Sequence, residues 1–317
     1  RCSTASLCTH QRGVGTYAGF IYSALDVDIA EEALSLIQVE YEILPAVFDP
    51  LEAMKPDAPM LYDDCEKNIA SRLVRNFGDV AKGLSEADFV FEDVFELPRV
   101  ASCTLEPHEC IAQIDSQGNL TVWSSTQSIT NIHEEVGIPL GLPLHKMRVI
   151  APFVGGAFGN KSVILPLEPI TAFLARKAQR PVKIVTTREE EFTCSRTRYA
   201  MIIRLKTGVK KDGAITFRDA QVITDNGAYN NKAQGITMVT CNRIGNLYRV
   251  PHVRTEALIV YTNNQYSGAL RGWGGPQAHF AVESQMDIIA RKMSWDALCE
   301  GFSTDGYGGE PIGTAVA

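Results

Sequence analysis

Two glycine-rich turns, each holding one aromatic residue and each following a strand-like run, constrain this chain more than any other feature. The first is VGGAFGNKS, residues 154–162, behind Met147–Ala151; the second is SGALRGWGGPQA, residues 267–278, behind Ala257–Tyr261. Glycine removes the side chain, so each turn opens main-chain amides to a neighbour while one ring, Phe158 or Trp273, stays beside them. A phosphate loop needs a second glycine where Asn160 stands. A dinucleotide fingerprint needs a prompt helix, which Pro166 and Pro169 delay. Taken singly, each turn reads as a tight corner. Taken together with the loop SSTQS (124–128), which offers the Gln127 carboxamide, they read as three loops around a large polar ligand. Arg271 beside Trp273 adds a fixed cation, and Pro276 opens a helix whose amides would face an anion.

The scaffold around these loops is of mixed type. Strand-like alternation marks 88–96, 118–125, 147–151, 182–187, 201–207, 214–225 and 253–262, and Lys210-Lys211-Asp212-Gly213 is a hairpin signal between two of them. Helical spacing marks 127–136, 166–178 and 277–293, the last with Val282, Met286, Ile289 and Met293 on one face. Strict strand–helix alternation is missing, so the fold class is α+β. Upstream, the spacing predicts a helix over 29–37 and a strand over 39–44. Residues 49–64, with Pro50, Pro56 and Pro59, read as a connector, and the regular elements of a second unit begin near Asp79. The two units are bounded at 1–64 and 65–317.

A formal net charge of −7 without any basic block excludes a nucleic-acid footprint. No apolar run approaches the ~18 residues of a membrane span, and Arg1–Thr4 has no leader-like apolar run behind it. The eight cysteines (2, 8, 65, 103, 110, 194, 241 and 299) form no CxxC pair. Neither a zinc ribbon nor an iron–sulfur cluster is therefore expected on this chain, and a reducing, cytoplasmic setting fits.

Seven motifs in order carry a resemblance: AEEALSLIQVEYEILPAVFDP (30–50), LEPHECIAQID (105–115), WSSTQ (123–127), GGAFGNK (155–161), RPVKIVTTREEEF (180–192), TDNGAY (224–229) and YTNNQYSGALRGWGGPQ (261–277). By these the chain resembles the molybdenum-cofactor subunit of the xanthine dehydrogenase and aldehyde oxidase family of molybdenum hydroxylases. The resemblance implies a partial hammerhead-like α/β domain followed by the first molybdopterin-binding α+β domain. It implies that Gln127 and Arg271 serve catalysis, Gln127 by hydrogen bonding to a terminal oxo ligand of molybdenum. Backbone of Gly155, Gly156, Ala157, Phe158 and Gly159, with Arg271, would hold the pterin. Gln127, Phe158 and Arg271 would contact the metal's ligands without being ligands themselves. Ser162, Val239 and Trp273 would line the substrate pocket, Trp273 in the slot of a ring-stacking phenylalanine. The implied cofactor is molybdopterin with molybdenum, bare or as the cytosine dinucleotide. Implied partners are a second molybdenum-domain chain carrying the catalytic glutamate, a [2Fe-2S] subunit, an FAD subunit and a small organic substrate, with no nucleic acid and no membrane. The implied reaction hydroxylates an aromatic, N-heterocyclic or aldehyde carbon with water as oxygen source.

The departures from the family pattern matter as much. Ala157 stands where a third glycine is common, which requires a negative φ there. Ser162 and Val239 replace a glutamate and an arginine of the purine-oxidising branch, so a flat uncharged ring on Trp273 fits better than xanthine. Gly272-Trp273-Gly274 stands in place of the cysteine loop of the carbon-monoxide-oxidising branch. Residues 1–25 match poorly, and Glu310 in YGGEP (307–311) reads as part of a connecting loop rather than a catalytic acid. An alternative stays open: a structural or assembly chain, or a truncated homologue, that keeps the fold while a partner carries the chemistry.

Overall fold

The computed structural model describes residues 40–294 without a break, together with residues 5–6, 20–21, 28–29, 32, 36 and 38. In the continuous region the strands are β1 (Ile69–Phe77), β2 (Phe89–Leu97), β3 (Val100–Ala101), β4 (Glu109–Ile114), β5 (Leu120–Ser124), β6 (Met147–Ile150), β7 (Val182–Val185), β8 (Thr197–Arg198), β9 (Ala200–Val209), β10 (Ile215–Gly227) and β11 (Val253–Tyr261). The helices are α1 (Pro50–Ala53), α2 (Val80–Ser85), α3 (Ile129–Leu140), α4 (Leu167–Ala178), α5 (Arg188–Cys194), α6 (Ala233–Ile244) and α7 (Gly275–Met293).

Two sheets organise these elements. One has five strands in the order β1-β11-β10-β9-β2, the other four in the order β6-β5-β4-β7. Each sheet contains one parallel pair, β10 with β11 and β5 with β6, and is otherwise antiparallel. Parallel neighbours need a crossover, which α6 and α3 supply. Each crossover sets the carboxyl ends of two parallel strands side by side, where loops collect around ligands in strand–helix–strand units. The Gln127 loop leaves the end of β5, the first glycine turn follows β6, and the second follows β11.

Period-two alternation decides what each strand buries. On β9, Met201, Ile203 and Leu205 join the larger core with Ile236 and Ile244 of α6 and Val282, Met286 and Ile289 of α7. Full burial of such side chains stabilises by roughly 1.5–3 kcal/mol each, which holds both helices on the sheet. The second core packs Cys110, Ala112, Leu120 and Val122 against Ile132 and Val136 of α3 and Ala172 and Ala175 of α4. On the reverse face of the larger sheet, Ile223, Leu258 and Val260 are covered by Val47, Ala53 and Leu61.

Some expectations need correction. Residues 40–44 pair with no strand among the described residues, and Tyr41, Ile43 and Leu44 are exposed; their alternation has no partner to use. The stretch 49–64 is not a bare connector. Asp49 caps α1, and the segment packs onto the sheet through Val47, Ala53 and Leu61. The first strand of the larger sheet, β1, precedes Asp79; it is an edge strand whose Arg72, Val74 and Phe77 are exposed. Of the helix expected over 29–37, residues 29 and 32 are helical and most of the remainder lies outside the described residues, as do Cys2, Cys8, Cys299 and Glu310.

Candidate functional site

The two glycine turns meet. Arg271 N–H donates to Phe158 O at 2.8 Å, and Gly159 lies so close to the second turn that a β-carbon there would sit 3.0 Å from Ala269 O. The Gln127 loop closes on the same point. Gln127 Oε1 accepts from Gly159 N–H at 2.9 Å, and Gln127 N–H donates to Lys161 O at 2.8 Å. Three loops expected to converge therefore do so through hydrogen bonds.

Backbone torsions show how the rings are presented. Phe158 (φ 53°) and Trp273 (φ 47°) both adopt the left-handed conformation, and glycines follow each of them at positive φ. A non-glycine residue held there costs on the order of 1–3 kcal/mol, so the surrounding bonds must impose it. Both rings remain partly exposed, at 48% for Phe158 and 38% for Trp273. Ala157 is buried and is not among the residues of positive φ, as its β-carbon requires. Gly156 has φ 100°, yet its nearest neighbours would stand 3.5 Å or more from an added β-carbon. Torsion rather than crowding within this chain thus demands glycine. Gly156→Val is expected to distort the turn and give folded protein with the cofactor implied by the resemblance largely missing, checked by metal analysis and circular dichroism; full metal occupancy would make the turn a mere corner.

A bracket on the other side steadies the first turn. The Lys161 ammonium is fully buried, pairs with the Glu106 carboxylate, and donates to Glu106 O at 3.0 Å and Pro107 O at 3.2 Å. Glu106 in turn caps Gly155 N–H at 2.9 Å. The loop carrying Glu106 is gripped by α5, where Arg188 donates to Thr104 O and Leu105 O at 2.6 and 2.7 Å. Glu191 accepts from His108 N–H at 2.5 Å and faces His108 Nδ1 at 2.8 Å. Burial pushes the Glu191 carboxyl up, but hydrogen bonds from the His108 ring, the His108 backbone and Thr186 outweigh it and hold it at about 2. That depressed value contributes stability at pH above the ordinary 4.5, lost as pH falls toward 2. Glu168, buried beneath the Gln127 loop and hydrogen-bonded to Ser124 Oγ, is pushed up by burial instead. Sequence reasoning missed Glu106, Lys161 and α5 as parts of one device, although charged residues inside LEPHE and beside the glycines were a signal.

The remaining expected residues are placed as follows. Ser162 is half-buried, its Oγ donating to Gly159 O at 2.6 Å, so it finishes the first turn. Val239 is half-buried on α6; that helix reaches the second turn through Thr240 Oγ1, which donates to Gly274 O at 3.0 Å. Among the described residues no hydrogen bond ties α6 to the first turn, where Ser162 stands. The amino terminus of α7 offers fewer donors than expected. Gly275 N–H bonds to Gly272 O, Pro276 has none, and Ala278 N–H bonds to Gly274 O at 3.4 Å. Among the described residues no hydrogen bond or ion pair engages the Gln127 amino group or the Arg271 guanidinium, and both side chains are exposed.

This donor set is main-chain amide, carboxamide and guanidinium. Among the described residues no group of three or more His, Cys, Asp or Glu is arranged to hold a metal ion. Such a set fits a metal that arrives with ligands of its own on a bulky anionic carrier, lying against open backbone. The described residues also contain no helix long and apolar enough to cross a membrane.

Comparisons with known proteins point the same way. Residues 61–299 match the molybdopterin cofactor-binding domain family. The chain is 35% identical over 271 residues to a probable xanthine dehydrogenase subunit of Bacillus subtilis (strain 168), covering 86% of this chain and 36% of that one. It is 36% identical over 279 residues to the nicotinate dehydrogenase large molybdopterin subunit of Eubacterium barkeri, covering 88% and 65% respectively. The crystal structure of quinoline 2-oxidoreductase from Pseudomonas putida 86 superposes with a TM-score of 0.82 at 31% identity, over 87% of this chain and 36% of that one. The chain thus spans about a third to two thirds of the length of the proteins it matches.

Proposed function

Because this chain belongs to the molybdopterin cofactor-binding domain family, we propose that it is the cofactor-holding part of an oxidoreductase that hydroxylates an aromatic, N-heterocyclic or aldehyde carbon with water as oxygen source. The observation that carries the reading is the junction of the two turns through Phe158 O and Arg271 N–H, with the Gln127 amino group and the Arg271 guanidinium left unengaged around it. When bound, the molybdenum cofactor supplies the two-electron oxidation of the carbon. This chain's residues bind and orient. The backbone of Gly155, Gly156, Ala157, Phe158 and Gly159 would hold the pterin, whether bare or extended as a cytosine dinucleotide. Gln127 keeps its carbonyl on Gly159, and its free amino group would donate to an oxygen of the metal's own ligand set. Arg271 offers its cation to the same group of ligands, where developing negative charge is stabilised.

Exposed surface and the relatives support two further parts of this role. Leu105, Phe153, Phe158 and Phe192 are exposed around the first turn and its bracket, a patch suited to a second molybdenum-binding segment that completes the site. Electrons would leave through [2Fe-2S] and FAD carriers on partner subunits. Cys65, Cys103, Cys110, Cys194 and Cys241 are thiols rather than disulfides, which suits a reducing, cytoplasmic compartment. Native mass spectrometry with metal analysis of the assembled complex is expected to find molybdenum, pterin and these partners. A folded complex devoid of pterin would leave the structural or assembly role in its place.

The pocket residues favour a flat ring as substrate. A pocket lined by Ser162 and Val239 would strip the polar edges of a purine dione of their hydrogen bonds to water without replacement, whereas a ring stacked on Trp273 would avoid that loss. Aromatic stacking adds about 0.5–1.5 kcal/mol beyond burial. Trp273→Ala is therefore expected to raise KM for a heteroaromatic substrate about tenfold while small aliphatic aldehydes change less. Steady-state kinetics on both classes check it; equal effects on the two, or xanthine as best substrate, would remove Trp273 from this role.

A further inference from the structure

Behind the site, every residue of the segment Ser195-Arg196-Thr197-Arg198 bonds to one of the glycine turns or to the residues immediately after the first. Ser195 Oγ accepts from Asn160 Nδ2, at the end of the first turn, at 3.2 Å. Arg196 Nη2 donates to Val163 O and Ile164 O, immediately past that turn, at 2.6 Å each. The stem of Arg196 also fills the space beside Gly268, where a β-carbon would lie 2.7 Å from Arg196 Cδ, and its guanidinium sits 5.9 Å from the Tyr266 ring centroid. Thr197 O accepts from Gly268 N–H at 2.9 Å, and its hydroxyl meets Ser267 Oγ at 3.2 Å. Arg198 Nη2 donates to Arg271 O at 2.7 Å, and its Nη1 reaches Gln277 Oε1 at 3.4 Å.

No sheet could impose this arrangement. The first turn follows the four-stranded sheet and the second follows the five-stranded one, so the register of neither fixes the distance between them. The short ladder of β8 with β3, Thr197 opposite Ala101, anchors the segment itself. Both carbonyl bonds of Arg196 come from its Nη2, and the side chain is held in place by packing against Gly268 and the Tyr266 ring. Arg196 is only 2% exposed, so its hydrogen bonds are made where water does not compete.

We propose that Ser195–Arg198 is a yoke that sets the spacing between the Phe158 turn and the Trp273 turn, and thereby the size of substrate ring that the site accepts. Arg196 and Arg198 are positioning residues, acting through main-chain carbonyls of the turns. The substrate half of this inference rests on the function proposed above; the yoke itself does not.

Arg198 is half-exposed, so Arg198→Ala in the assembled, cofactor-loaded enzyme is a substitution the fold should tolerate. Hydrogen–deuterium exchange is expected to quicken about tenfold in peptides covering 267–274, while 200–227 stays protected. KM for an N-heteroaromatic substrate should rise about tenfold with little change in kcat, and Arg198→Lys should recover part of both effects. Arg196→Met, which removes both carbonyl bonds, should quicken exchange over 160–166. Unchanged exchange over 267–274 in Arg198→Ala overturns the yoke. Faster exchange with unaltered KM for both heteroaromatic and aliphatic substrates keeps the yoke and removes the substrate site from these turns.

Discussion

Gln127→Ala is expected to lower turnover of the cofactor-loaded enzyme by roughly 10²–10³-fold, the usual cost of removing one preorganised donor aimed at developing charge. The side chain has two tasks in the structure. Its carbonyl accepts from Gly159 N–H at 2.9 Å, while its amino group has no partner among the described residues. Alanine removes both, so part of the loss will come from a loosened turn. Gln127→Glu separates them, because a carboxylate still accepts from Gly159 but has nothing to donate and adds a negative charge. Molybdenum content and kcat measured together make the comparison: the glutamate variant should keep most of its metal and still turn over slowly. Wild-type kcat in either variant would take Gln127 out of the reaction.

Lys161→Met should be the most destabilising single change at the site. Breaking a buried pair by deleting one partner typically costs about 3–5 kcal/mol, because the remaining charge is left uncompensated. Here that charge is Glu106, which is 20% exposed, so the cost falls at the lower end of that range, and because its carboxylate also caps Gly155 N–H, fold and cradle weaken together. In a domain of this size the loss corresponds to a melting temperature lower by about 10 °C, measurable by calorimetry. Adding Glu106→Gln should restore part of it, since no buried charge then lacks a partner. A melting point within about 2 °C of wild type would mean water reaches the pair.

Legibility in the sequence followed burial pattern. The strands at 201–207 and 214–225 and the helix at 277–293 alternate or repeat large apolar residues, and all three are present. The helix α6 was hidden because its buried face reads Ala233, Ile236, Thr237, Thr240, Cys241 and Ile244: helical spacing, but with threonines inside. Strand β4 reversed the usual cue by burying Cys110 and Ala112 while exposing Ile111. Missing α6 also hid the crossover between β10 and β11, whereas the elements of the other crossover, at 118–125, 127–136 and 147–151, were all legible. At the site, the three loops and their rings were legible because glycine and aromatic residues advertise themselves. The bracket and the yoke were not, since both work through side chains reaching carbonyls far away in sequence.

Contacts between distant parts of the chain also decide when the site comes into being. Phe158 O meets Arg271 N–H, and Arg196 touches both Val163 and Gly268, so the cradle closes only once both turns exist. Loop closure of this length is a late and slow event in folding. At ~5–20 residues per second of synthesis, several seconds pass between the emergence of Phe158 and that of Arg271. During that interval the first turn has its bonds to Glu106 and Gln127 but only half a cradle. A bulky cofactor lying against both turns would therefore meet them already joined on a folded chain, its insertion set apart in time from the birth of the polypeptide.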